Sequence, residues 1–272
     1  ASSILAGKVF VDGAMVFAGP GEPLGAFIAA YVGIFFGHMV SGKTKVDILV
    51  TPVVTIGSGC LVGFLIGPPI SGFMSWLGSL INWGTEQQPF LMGILVSVIV
   101  GVALTLPISS AAICAALQLT GLAGGAAVAG CCAQMVGFAV MSFKENRWGG
   151  IISQGLGTSM LQMGNIVKNP RIWIAPTLTS AITGPIATCL FKMEMNGPAI
   201  SSGMGTCGLV GPIGVYTGWA NEITEGVRTA ITSMDWIGLA LIAIILPTVL
   251  CPIINMFFRK IGWVKDGDLT LS

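Results

Sequence analysis

The chain has 272 residues, of which 8% are charged and 54% apolar, with 12 Lys and Arg against 11 Asp and Glu and a net charge of +1. An ordinary soluble domain carries about 25% charged residues, so this sequence lacks the polar skin of a soluble fold and its apolar surface is expected to face the lipid bilayer. The balanced charge excludes a basic face for nucleic acid, and the seven cysteines show no metal-ligand spacing.

Charge-free windows recur: 20 residues at 23–42, 38 between Asp47 and Glu86, 57 between Glu86 and Lys144, then 148–167, 172–191, 195–221 and 236–258. A helix needs about 20 apolar residues to cross the hydrocarbon. The windows therefore predict an all-α polytopic membrane protein of about seven to nine transmembrane helices, with broken or re-entrant segments, as one domain over residues 1–272. Lys8 and Asp12 interrupt the first apolar stretch. Ser2–Ala18 is thus a poor signal-peptide core, and the opening residues fit an amphipathic or partial span. Leu24–Val40 is the first clear span, followed by the loop Ser41–Asp47 with Lys43 and Lys45. Ile48–Ile66 is the second, containing the small run Gly57, Ser58, Gly59, and Gly67-Pro68-Pro69 is expected to stop it. Ile70–Asn82 is a shorter helix, and Trp83–Gln88 a loop, with Trp76 and Trp83 as interface anchors.

Phe90–Leu104 opens the longest window, which breaks at Thr105-Leu106-Pro107-Ile108-Ser109-Ser110. Helix resumes over Ala111–Leu119, pauses at Gly121 and continues to Met141. Ser142–Trp148 is a charged loop with Lys144, Glu145 and Arg147. Gly149–Val167 is rich in Gln, Ser, Thr and Gly, Lys168-Asn169-Pro170-Arg171 is a turn, and Ile172–Phe191 is a span marked by Gly184-Pro185. Asn196–Tyr216 is Gly-rich and broken, Trp219–Asp235 is polar, and Trp236–Phe258 is the last span. Arg259, Lys260 and Lys265 follow it and place the C-terminal side in the cytoplasm by the positive-inside rule. Gly155-Leu156-Gly157-Thr158 is echoed by Gly203-Met204-Gly205-Thr206, and Gly184-Pro185-Ile186 by Gly211-Pro212-Ile213. These matches are too short to mark a duplicated domain.

Three segments, 105–110, 153–165 and 203–214, are polar or broken where lipid forbids irregular backbone. Such backbone is tolerated only when buried in protein or lining a wet cavity. Paired breaks mark transporter sites, because half-helix ends present N–H and C=O groups to a polar solute. Kinked packing helices are the competing explanation. The side chains at the breaks are Pro107, Ser109, Ser110, Gln154, Thr158, Ser159, Gln162, Asn165 and Thr206, which we take as candidate substrate-binding residues. His38, the one histidine, leaves no metal cluster or Ser–His–Asp set. Glu222 and Glu225 read as a solvated or interfacial stretch. Cys131 and Cys132, between Gly130 and Ala133, read as helix packing. No catalytic residue, metal or cofactor is expected.

Ile66-Gly67-Pro68-Pro69-Ile70, the downstream Phe73–Asn82 and Gly93–Ile113, and the preceding Lys43–Ser58 resemble the fructose–mannitol type membrane component, the IIC subunit, of bacterial phosphoenolpyruvate sugar phosphotransferase systems. The similarity is greater to a branch of IIC-like proteins that includes membrane regulators of the perfringolysin type, and it covers about residues 24 to 258. It implies a homodimeric carrier in the bacterial inner membrane that binds a sugar between a scaffold and a moving transport domain. The sugar is then phosphorylated at the cytoplasmic face by a separate IIB-type protein.

The departures fall where that family handles sugar. Its Gly-Gly-Pro-Val-Asn-Lys segment aligns with Thr105–Ser110, so Asn and Lys become Ser109 and Ser110, and its nearby acidic residue becomes Ala103. Its Gly-Ile-Thr-Glu loop aligns with Gly157-Thr158-Ser159-Met160, and its following Asp-Pro turn with Asn169-Pro170. Its Pro-His-Gly-Gly aligns near Leu209-Val210-Gly211-Pro212. The literal Ile223-Thr224-Glu225 lies downstream of both later landmarks and is coincidental. The expectation is a carrier for a small polar solute, with sugar as one candidate, or a IIC-derived sensor or regulator that binds a ligand or lipid without transport.

Overall fold

The structure is a computed structural model that describes residues 8–11, 14–17, 23–43 and 46–271. The expectations for residues 1–7 and for Lys45 lie outside the described residues. The chain folds as an all-α polytopic membrane protein apart from one short hairpin. Among the described residues, four helical runs are long and apolar enough to cross a membrane: Asp47–Gln87, Gly121–Met141, Pro170–Leu190 and Ser233–Lys260; Gly25–Val40 and Pro89–Thr105 are shorter and apolar. The contacts divide the chain into two compact units, Ala1–Ser79 with Ala115–Leu117, and Leu80–Cys114 with Gln118–Ser272.

In the first unit, strands β1 (Lys8–Val11) and β2 (Ala14–Phe17) pair antiparallel, with Lys8 opposite Phe17 and Val11 opposite Ala14. The opening residues are thus a hairpin in part, rather than a helical partial span, because Val and Phe favour extended backbone. Helix α1 (Pro23–Val40) follows, then helix α2 (Asp47–Gln87), which belongs to this unit as far as Ser79. Ala29, Gly33 and Gly37 recur every fourth residue on α1 and meet Thr55 and Gly59 of α2. A Cβ on Gly33 would stand 2.8 Å from the Thr55 carbonyl oxygen, and one on Gly59 would stand 3.0 Å from that of Ala29. Small residues at this spacing let membrane helices approach through their backbones.

The expected stop at Gly67-Pro68-Pro69 does not occur: α2 runs through it, with Pro52, Pro68 and Pro69 inside. Each proline removes one ladder hydrogen bond, but its fixed φ is compatible with helix, and membrane helices tolerate the loss. The same helix absorbs Trp83–Gln87 of the expected loop Trp83–Gln88, and Gln88 alone is non-helical (φ −133°, ψ 67°).

The second unit is built on α3 (Pro89–Thr105), α5 (Gly121–Met141) and α8 (Ile174–Pro185). Gly93, Ser97, Gly101 and Thr105 form a line of small residues along α3. A Cβ on Gly101 would stand 2.8 Å from the Gly130 carbonyl oxygen of α5, and one on Gly93 would stand 2.6 Å from the Thr188 hydroxyl. Ser97 Oγ donates to the Ser180 carbonyl at 2.8 Å, and Ser180 Oγ to the Gly130 carbonyl at 3.2 Å. Between these lie α4 (Ser110–Ala116), α6 (Phe143–Ile152) and α7 (Met163–Lys168). After them come α9 (Val210–Thr224), α10 (Ser233–Ala240) and α11 (Leu246–Lys260). The charged stretch Ser142–Trp148, expected as a loop, is largely helical in α6, with a break at Arg147 (φ 51°). Cys131 and Cys132 are fully buried in α5, as packing residues.

Candidate functional site

The three segments expected to break do break, and they meet within the second unit. Helix α3 ends at Thr105, where Leu106 turns extended (φ −68°, ψ 156°). A residue preceding proline is pushed out of helical space, which here is the effect of Pro107. Ser109 Oγ then accepts from the Ala112 amide at 3.1 Å and caps α4.

The second break begins with a wide turn at Ser153–Gly157, after which Thr158 is extended (φ −160°, ψ 141°). Thr158 Oγ1 accepts from the Met160 amide at 3.2 Å and starts the tight turn Ser159–Gln162. The third break contains the turns Ala199–Gly203 and Cys207–Leu209. Gly205, Gly208 and Leu209 all have positive φ, of 52°, 53° and 59°. For Leu209 that backbone costs roughly 1–3 kcal/mol, a strain typical of functional or switching segments.

One hydrogen bond ties each pair of breaks. Thr105 Oγ1 and Ser159 Oγ lie 2.8 Å apart, Ser110 Oγ donates to the Gly203 carbonyl at 2.7 Å, and Thr206 Oγ1 donates to the Gly155 carbonyl at 2.6 Å. The glycines of the third break are needed for this closeness. A Cβ on Gly203 would stand 2.5 Å from the Ser110 carbonyl oxygen, and one on Gly205 would stand 2.7 Å from Cys131.

Two polar chains leave this meeting point. The inner one runs from Ser159 through Thr105 to Gln134 of α5. Gln134 Oε1 accepts from Thr105 Oγ1 at 3.3 Å and from Trp173 Nε1 at 3.0 Å, and Nε2 reaches Thr177 and Ser180 at 3.4 and 3.5 Å. The outer chain begins at Ser142, whose Oγ accepts from Gln154 Nε2 at 2.8 Å. Gln162 Nε2 donates to Gln154 Oε1 at 2.9 Å, and Asn165 Nδ2 to Gln162 Oε1 at 2.8 Å.

The outer chain ends on the segment that follows α11. Gln162 Nε2 and Asn146 Nδ2 both donate to the Leu269 carbonyl, at 2.9 and 2.7 Å, and Asn165 Nδ2 donates to that of Thr270 at 2.9 Å. The Leu271 amide donates to Asn146 Oδ1 at 2.9 Å. Leu269 and Val264 are buried beside Phe138, Ile166, Ile172 and Phe258. Burying each such side chain stabilises by about 1.5–3 kcal/mol. Lys144–Asp266 (2.9 Å) and Arg259–Glu145 (2.6 Å) flank the segment, and Arg171 lies over the Trp263 ring at 5.3 Å. Lys144 holds the Asp266 carboxyl below the usual range, first through its hydrogen bond and then through its charge; Arg259 lowers it further.

Of the expected site residues, Ser110, Gln154, Ser159, Gln162 and Thr206 are buried and brought together; Thr158 and Asn165 are half-buried; Pro107 and Ser109 are exposed. The buried ones are hydroxyls and carboxamides already paired within the chain. They suit hydrogen bonds to neutral oxygen-rich groups rather than ion pairing. The sequence reading passed over Gln134, Asn146 and the segment after α11. A run of Gln, Asn and Ser in an apolar chain is the signal for the first two, while the third pairs with residues more than a hundred positions away.

A separate cavity of about 540 Å³ is lined by Lys192, Glu194, Trp219, Glu222, Arg228 and Asp235, among others. Three of its charged residues, Arg228, Glu222 and Asp235, are paired among themselves. Arg228 bridges Asp235 at 2.8 Å and Glu222 at 3.7 Å and lies over Trp219 at 5.6 Å; Asn196 donates to Glu194 at 3.0 Å. Glu222 is therefore an ion-pair partner in this wall rather than a solvated side chain.

No curated protein and no solved structure matches the chain. A family model described as phosphotransferase system, EIIC, matches residues 1–271. The charge-poor helical fold agrees with that match: the chain belongs to the EIIC family, the membrane component of the phosphotransferase system that serves sugar transport with a cytoplasmic IIB partner.

Proposed function

We propose that this EIIC chain is a permease that carries a small, neutral, polar solute, a sugar or polyol, by alternating access. The observation that supports this most is the triangle of hydrogen bonds joining the three breaks. Pro107, Ser109, Ser110, Gln154, Thr158, Ser159, Gln162, Asn165 and Thr206 form the proposed binding set. Helix ends held together by hydroxyls can exchange internal partners for solute hydroxyls at small net cost, because a hydrogen bond contributes about 0.5–1.5 kcal/mol net. The residues aligned with the fructose–mannitol type's sugar and phosphotransfer groups are Ala103, Ser109, Ser110, Met160, Val210 and their neighbours. On this reading phosphotransfer is lost, since moving a hydroxyl proton needs a titratable group in reach.

The fructose–mannitol and regulator-like affinity, the homodimer and the inner-membrane location belong to the same proposal. The exposed apolar side of α2 is the surface a second copy would use. Lys144, Arg171, Arg259 and Lys265 lie in segments that contact one another at one end of the second unit. By the positive-inside rule that end is cytoplasmic, where a IIB protein would dock. A second reading, a ligand-binding sensor without transport, is favoured by the fact that the buried donors are already paired.

The test is uptake of radiolabelled hexoses and hexitols into proteoliposomes, with and without phosphoenolpyruvate, the general phosphotransferase proteins and IIA and IIB. Saturable uptake of unmodified solute supports the proposal. A phosphorylated product refutes the loss of phosphotransfer. Monodisperse protein that moves none of the panel overturns the carrier reading in favour of the sensor.

A further inference from the structure

The segment after α11 lies against the proposed binding set. Its Leu269 and Thr270 carbonyls take the hydrogen bonds of Gln162 and Asn165, two members of the proposed binding set, and of Asn146 beside them. Carboxamide donors converging on two adjacent acceptor oxygens are what a hydroxylated solute would meet, and here the chain's own backbone supplies the acceptors.

The segment is anchored by the buried Val264 and Leu269 and carries a glycine bend at its start and another before Leu269. It leaves α11 at Gly262 (φ 79°) and bends again at Gly267 (φ 95°), and a Cβ at either position would meet nothing within 4 Å. Glycine adopts such backbone without strain, and open space leaves it free to turn. One flank is held by Asp266, which is 70% exposed and bridges both Lys144, 68% exposed, and Arg259 of α11, 20% exposed; the Lys144 pair is cheap to break in water. On the other flank, Asn169 Nδ2 donates to the Trp263 carbonyl and to Asp268. Next to Asn146, Glu145 accepts from Arg259 with one oxygen, and its other oxygen is buried with no hydrogen-bond partner among the described residues. A carboxylate left half-satisfied under a cover is better solvated once the cover lifts.

We infer that Gly262–Leu271 is a strap that closes the amide end of the site by mimicking the acceptors of a solute. It swings out about Gly262 to admit one. This rests on the carrier reading for what the site binds, but the hinge itself is testable without transport.

The experiment uses the full chain carrying Asn146→Cys and Leu271→Cys, whose positions touch in the closed state, with Asn146→Cys alone as control. Mass spectrometry verifies the cross-linked peptide and monodispersity verifies the fold. Amide exchange in the reduced protein is expected to be about tenfold or more faster over 262–271 and 153–165 than over 128–138, because local opening precedes global opening. Oxidation is expected to slow both outer segments together. Uptake falls on oxidation and returns with reductant. Exchange over 153–165 that ignores the cross-link overturns the strap, as does uptake that is equal in both states. Coupled exchange with no uptake of any solute in either state upholds the strap as a cover and counts against the carrier reading alone.

Discussion

Helices α2 and α5 are both apolar enough to span a membrane, yet they have opposite surroundings. In α5, 89% of the apolar window is buried inside the protein; in α2 the share is 11%. Side-chain size explains the difference. Helix α5 carries five glycines and six alanines in 21 residues, so neighbouring backbones approach it closely, that of Ser97 at Gly130 and that of Met193 at Gly125. Helix α2 presents Leu49, Val53, Ile56, Leu65, Phe73 and Trp76 outward. Lipid covers such chains as well as protein does, so apolarity alone drives no helix association in a bilayer. Hydropathy finds both helices, and residue size tells which one is the core.

The sharpest way to break this comparison is to place the same substitution in both helices. A side chain at Gly130 would land on the Ser97 backbone, whereas one at Gly57 meets nothing within 4 Å. Gly130→Leu should destabilise by about 3 kcal/mol or more, through overpacking against backbone that cannot yield. Gly57→Leu should be neutral or stabilising by up to about 1 kcal/mol, from helix propensity. Apparent melting midpoints in detergent compare the two. Similar losses in both would show that α2 is covered by protein in the native assembly.

A smaller effect should separate polar side chains in the two helices. Gln134 of α5 serves Thr105, Trp173, Thr177 and Ser180, while Ser58 of α2 only donates back to its own helix, to the Val54 carbonyl at 2.7 Å. Gln134→Leu leaves the Trp173 N–H without its acceptor and takes one contact from each of the Thr105, Thr177 and Ser180 hydroxyls, at a cost of about 1–3 kcal/mol. Ser58→Ala should change stability by less than about 0.5 kcal/mol. A tolerant Gln134→Leu would mean that water or a solute already reaches the inner polar chain.

Legibility in the sequence followed the range of the interactions. The three breaks could be read because their causes are local: Pro107 ends α3, Gly155 and Gly157 lie in the wide turn that opens the second break, and Gly203 and Gly205 admit backbone contact at the third. That the breaks meet could only be inferred from the need to bury irregular backbone. The stop at Pro68-Pro69 was misjudged because two prolines weaken a helical ladder without forbidding it. Asp12-Gly13 between β-branched and aromatic residues is a hairpin signal that the apolar setting obscured. The contact of Leu271 with Asn146 spans 125 residues and leaves no periodicity to read.

The smallest effect expected sits on the segment after α11 and tests whether its charges or its amides hold it. Asp266 is exposed, and its carboxyl is held below the usual range by Lys144 and, more weakly, by Arg259; Arg259 is in turn bonded to Glu145. A lowered folded-state pKa means that the contribution is fully present above the unfolded value near about 4 and is lost as pH falls through the folded value. Between about pH 7 and pH 5 nothing should change from this group, since the carboxyl is ionised in both states. Below about pH 4 the wild type should lose a slight stability advantage over Asp266→Asn, so that their melting midpoints converge. Salt at about 1 M should shrink the same difference at neutral pH, because exposed pairs are screened. The carboxamide contacts of Asn146, Gln162 and Asn165 carry no titrating group. A segment that stays closed in acid is therefore held by those amides and by Leu269. A segment that opens in acid, with a large change in midpoint, would mean that the ion pairs hold it, against their exposure.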